Sequence, residues 1–83
     1  MLDTAIGPII NIIDGNSFQM QVTHVGTHNV NRYANYEIVF IAPNPTVVKG
    51  IPLSAALIGR RVKCSVRYRD NYNRIYSDVV FEQ

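Results

Sequence analysis

The stretch RRVKCSVRYR, residues 60–69, alternates with period two. Val62, Cys64, Val66 and Tyr68 fall on one face, and Arg61, Lys63, Ser65, Arg67 and Arg69 on the other. This alternation predicts a strand with one buried and one strongly cationic face. Asp70-Asn71-Tyr72-Asn73 reads as a turn, and RIYSDVVF returns with Ile75, Ser77, Val79 and Phe81 inward and Tyr76, Asp78 and Val80 outward. Nearer the start, PIINII (8–13) is a short β-branched run that stops at Asp14-Gly15-Asn16, a hairpin turn signal. SFQMQVTHV then alternates again, placing Phe18, Met20, Val22 and His24 in the core. GTHNVN (26–31) is a polar loop, and residues 33–42 form a third strand with Tyr36, Ile38 and Phe40 inward. Pro43 and Pro45 end that strand, because proline offers no ladder donor.

Only one segment suits a helix. Pro52 fits a first turn, Leu53, Ala55, Ala56, Leu57 and Ile58 can cover a core, and Gly59 is a natural stop. The predicted order is three strands, a short helix and two strands, in one domain over residues 1–83. The fold class is all-β: a small five-stranded barrel of the oligonucleotide/oligosaccharide-binding (OB) type. Closure removes the sheet edges that a short β chain must otherwise protect. An SH3-like barrel competes, but it usually lacks so central a helix.

Composition narrows the possibilities. With 47% hydrophobic and 17% charged residues the chain is globular and not disordered. The single cysteine, Cys64, excludes an internal disulfide and fits a reducing compartment, the cytoplasm. The apolar N-terminus carries Asp3, lacks basic residues and is broken by Pro8, so neither a signal peptide nor a membrane span is expected. A net charge of +2 does not demand nucleic acid, but six of the eight basic residues lie between Arg60 and Arg74.

Ile13-Asp14-Gly15-Asn16-Ser17 resembles the Ile-Asp-Gly-Asp-Thr turn of staphylococcal nuclease-like domains. The later block LIGRRVKCSVRYRDNYNRIYSDV resembles that family's Leu-x-Gly-Lys/Arg-x-Val strand and its Asp-x-Tyr-Gly-Arg turn, here Asp70-Asn71-Tyr72-Asn73-Arg74. The resemblance runs from about Ile9 to Val80 and implies an OB-type barrel. It also implies a calcium-dependent nuclease site, and there the sequence departs from the pattern. Asn16 stands where the family has a metal-ligand aspartate, EIVFIAPNP lacks the family's arginine and acidic cluster, and only Arg74 matches a catalytic arginine. A lone arginine does not replace a metal, a base and a second cation. The expectation is therefore a trimmed, non-catalytic domain with no cofactor and no metal.

The candidate binding residues are Arg61, Lys63, Arg67, Arg69, Tyr72 and Arg74. A cationic stripe beside aromatic side chains suits single-stranded nucleic acid or another polyanion, by charge attraction plus stacking. The bland alternative is a solvated strand face whose charges discourage edge pairing. Tyr68 shares the parity of Val62 and Val66 and is expected in the core; Arg74 either binds an anion or pairs with Asp70. Asp14 is expected to cap its turn, Cys64 to be an inert buried thiol, and His24 and His28 to hold no metal. A protein–protein or self-assembly module is the alternative, because Val25, Val39, Ile41, Val47, Val48 and Val80 fall off the inward parities. Residual calcium-dependent nuclease activity is the third reading.

Overall fold

A computed structural model describes residues 2–41 and 55–82. Six strands follow in order: β1 (Asp3–Ile12), β2 (Ser17–Gln21), β3 (His24–Val25), β4 (Tyr36–Ile41), β5 (Arg61–Arg69) and β6 (Arg74–Phe81). Five of them close a ring in the spatial order β1-β2-β4-β6-β5 and back to β1. All pairs are antiparallel except β4 with β6, which run parallel. This is the expected small β-barrel, consistent with the OB type.

Closure depends on β1 serving two partners. Residues 3–8 pair with β5, from Asp3 opposite Val66 to Pro8 opposite Arg61, while Ile9–Ile12 pair with β2. A register shift between Ile9 and Asn11 interrupts the β1–β2 pairing. Bulges of this kind bend a strand and sharpen its twist. Gly7 lies just before this shift, opposite Val62, where a Cβ would run into the carbonyl of Gln21. The core inside the ring is Ala5, Ile9, Phe18, Met20, Val39, Val62, Cys64, Val66, Ile75 and Val79, with Leu57 at one end. Cys64 packs its sulfur 3.7 Å from that of Met20, and burial pushes its thiol up to about 12, as suits an inert side chain.

The two predicted turns form as the sequence implies. Asp14 accepts from the backbone N–H of Asn16 (2.8 Å) and the hydroxyl of Ser17 (2.9 Å). Asp70 accepts from the N–H groups of Tyr72 and Arg74, and Asn73 takes φ 63°, a left-handed conformation that asparagine tolerates. Gly59 takes φ 92° just after a single 3₁₀ turn, Ala55–Leu57. Ala55, Ala56 and Ile58 are exposed, so of the predicted helix face only Leu57 reaches the core; Pro52 and Leu53 lie outside the described residues.

Five inward assignments are corrected. In β4 the faces are reversed: Glu37 and Val39 are buried, whereas Tyr36 and Ile38 are exposed and Phe40 is half-buried. Val39 and Ile41 therefore serve the core and are not surplus apolar surface. Val25 and Val80 are exposed as expected, and Val47 and Val48 lie outside the described residues. His24 is exposed because β2 ends at Gln21. The N–H of Thr23 then bonds the carbonyl of Ile6, and His24 pairs opposite Ile6 on the outside of β1. Tyr68 is 56% exposed because a register shift between Val66 and Tyr68 adds a residue to β5 and turns it outward.

Candidate nucleic-acid interface

The reversed face of β4 and the bulge in β5 together build one surface. Phe40 lies opposite Tyr76, and Tyr76 opposite Tyr68, so three rings form a row across β4, β6 and β5. Their centroids are 4.8 Å apart for Phe40–Tyr76 and 4.6 Å for Tyr68–Tyr76, with interplanar angles of 32° and 12°. These spacings match the roughly 4.7–4.9 Å between neighbouring strands. Tyr68 and Tyr76 thus stack face to face and Phe40 tilts against Tyr76, as rungs of a ladder. Tyr36 and Ile38 extend the same outer face of β4. Tyr72 projects from the β5–β6 turn and is 80% exposed.

Arg74 sits beside this ladder. Its guanidinium lies 5.4 Å from the ring centres of Phe40 and Tyr72 and 5.9 Å from that of Tyr76, within cation–π range. It donates to the Tyr76 hydroxyl at 3.3 Å and, through Nε, to Asp70 at 2.8 Å. The bond to Asp70 raises the Arg74 pKa. Burial pushes the Asp70 carboxyl up, but the Arg74 N–H, its guanidinium and the Tyr72 N–H together bring it below the usual carboxylate value. Of the two roles open to Arg74, pairing with Asp70 is the one the geometry displays.

The other arginines divide sharply. Arg67 makes a bidentate pair with Asp78, at 3.0 and 2.7 Å, which raises its pKa. Arg69, displaced by the bulge, leaves the row of Arg61, Lys63 and Arg67 and turns to Glu37. It donates to both carboxylate oxygens at 3.0 and 3.1 Å and to the side chain of Asn73 at 3.0 Å. Glu37 is buried and also accepts from the N–H of Ala34 at 2.9 Å, so this knot ties β4, the preceding loop and the hairpin tip together. Among the described residues Arg61 makes only long contacts: 3.4 Å to the Thr23 hydroxyl, 3.4 Å to Nδ1 of His24, and 3.7 Å to Glu82. Lys63 is exposed and has no ion pair among the described residues.

No family model matches the chain, and neither the curated proteins nor the solved structures contain a match. Function therefore rests on the site. Among the described residues no three His, Cys, Asp or Glu side chains converge as metal ligands, and no helix is long and apolar enough to cross a membrane. Asp14 is committed to its turn. Of the sequence candidates, Tyr72 and Arg74 meet at the ladder, Arg67 and Arg69 are spent on carboxylates, and Arg61 and Lys63 stand at the far end of β5. Sequence reading missed Phe40 and Glu37. The signal for both was present in YEIVFI, where apolar residues occupy both parities and the one acid sits between them.

Proposed function

We propose that the chain is a non-enzymatic domain that binds single-stranded nucleic acid on the outer face of β4, β6 and β5. One observation carries this reading: a row of three rings on the outer face, half-buried at Phe40 and Tyr76, ends in the exposed Tyr68, on a barrel whose core is already filled. Large aromatic side chains add little stability where they remain exposed; Tyr76 is sandwiched between Phe40 and Tyr68, so a base extends the row at its exposed end ring, Tyr68, whatever the sequence. Arg74 and Tyr72 border the row and supply a planar cation and a further exposed ring. OB-type barrels bind oligonucleotides on the face of their second and third strands and on the loops after the first and fourth; the row meets that region at β4, the third strand of the ring, and at the β5–β6 turn that carries Tyr72. The resemblance of the Asp70–Arg74 turn to that of nuclease-like domains points the same way, with binding kept and cleavage lost.

A fluorescently labelled single-stranded oligonucleotide, titrated by anisotropy at low ionic strength, tests the proposal. Tyr68→Ala and Tyr72→Ala each weaken binding by about 1–3 kcal/mol, the stacking energy of one base, whereas Tyr68→Phe keeps the ring and the affinity. The oligonucleotide survives incubation with calcium as well as it does with a chelator. Absence of binding at low salt sinks the proposal, and calcium-dependent cleavage sinks its non-enzymatic part.

A further inference from the structure

The unspent positive charge of the β5–β6 surface does not lie at the ladder. Arg67, Arg69 and Arg74 each hold a carboxylate at 3.0 Å or less, in pairs that present little net field. Among the described residues Arg61 touches its neighbours at 3.4–3.7 Å, too long to engage most of its five N–H donors. Lys63 lies opposite Ile6 on β1, and Ile6 lies opposite His24 on β3. One outer row therefore runs from His24 through Ile6 to Lys63, and Arg61 reaches back to the His24 ring. Three nitrogen side chains thus share one patch.

This patch and the ladder lie on the same outward surface. Lys63 pairs opposite Val80, and Tyr68 opposite Tyr76, so four residues of β6 separate the two sites, about 13 Å at strand rise. Between them stand Ser65, Asp78 and Arg67, and the Asp78 carboxylate is masked by its bidentate bond to Arg67. A polyanion can cross that stretch without meeting an uncovered negative charge.

We infer that Arg61, Lys63 and His24 form a phosphate-anchoring site separate from the aromatic ladder, so that one single strand places its bases on Tyr68 and its neighbours and a phosphate further along on this patch. The inference rests on the proposed nucleic-acid binding. It adds a direction along β5 and β6 and a footprint near the lower end of the roughly 4–16 nucleotides that an OB barrel covers. It also assigns salt sensitivity to residues that do not touch a base.

The test compares a thymidine dinucleotide with a thymidine hexanucleotide, over a salt series, on the wild type and on Arg61→Gln/Lys63→Gln. The wild type binds the longer strand more tightly. In the double variant that advantage disappears, and the slope of log K against log salt falls by about 0.7, the amount for one phosphate no longer neutralised on a single strand. Arg61→Lys keeps its charge and its slope, which separates the effect of charge from that of folding. A double variant that retains both the length advantage and the slope overturns the anchor while base stacking stands. No binding of either oligonucleotide by the wild type overturns the stacking proposal itself, and the anchor with it.

Discussion

Arg69→Ala gives the most direct test of how the hairpin is held. Both oxygens of Glu37 accept from the Arg69 guanidinium, at 3.0 and 3.1 Å, and the Glu37 side chain is only 4% exposed. Removing the arginine leaves that carboxylate inside the barrel end with one partner among the described residues, the N–H of Ala34. Breaking a buried pair costs about 3–5 kcal/mol. The Arg69 side chain is 31% exposed, so water can partly refill its place, which favours the lower end, about 3 kcal/mol. In a domain of this size each kcal/mol lowers Tm by about 4–8 °C, so a fall of roughly 12–24 °C is expected. Urea unfolding followed by circular dichroism measures the loss directly, with an unchanged m-value showing that the unfolded reference is the same. Replacing both partners, Glu37→Leu with Arg69→Met, removes the stranded charge and restores most of the stability. A loss below about 1 kcal/mol in Arg69→Ala, the worth of an exposed ion pair, would refute the reasoning.

Three further outcomes follow from the same physics. Asp3 accepts bonds from the N–H of Val30, the N–H and side chain of Asn31 and the Tyr33 hydroxyl, which hold its carboxyl at about 2 against an ordinary 3.8. The folded value lies below the unfolded one, so its contribution is complete above about pH 4 and disappears as pH falls toward 2; Asp3→Asn is less stable at neutral pH and flattens that acid limb in a pH series of urea midpoints. The Ser77 hydroxyl is fully buried with no hydrogen-bond partner among the described residues, so Ser77→Ala raises stability by about 1 kcal/mol, and a lower Tm would show that the hydroxyl is satisfied. Gly7→Ala drives a methyl group into the Gln21 carbonyl and costs at least about 1–3 kcal/mol, the usual range for overpacking, read as reduced Tm or loss of soluble protein.

Much of the barrel is legible in the residues because alternation and turn chemistry agree there. Val62, Cys64 and Val66 inward, Ile75, Ser77 and Val79 inward, and turns at Asp14 and Asp70 all follow from neighbours a few positions apart. The failures share a different cause. In β4, hydrophobic weight favours Tyr36, Ile38 and Phe40 inward, yet Glu37 takes that side because Arg69, 32 residues away, neutralises it. Tyr68 turns outward because of a bulge that no composition rule marks, and His24 because β2 ends at Gln21 and the chain crosses from β2 to β1. The arginine stripe is visible in the sequence, but the carboxylates that quench most of it come from β4, β6 and the turn. Which cations stay free is a property of the closed ring and of no local window.

The ring itself dictates an order of assembly. β1 is made first and soon meets β3 and β2 on one edge, but the other edge of residues 3–8 finds its partner only in residues 61–66, and β4 finds its parallel partner only in β6. Pairing across so much intervening chain is slow, typically milliseconds to seconds for barrels built this way. Until β5 and β6 arrive, β1 and β4 each present an unpaired margin of backbone groups. Anything extended that reaches those margins first competes with closure, so the nascent chain is most prone to aggregate just before its C-terminal hairpin emerges.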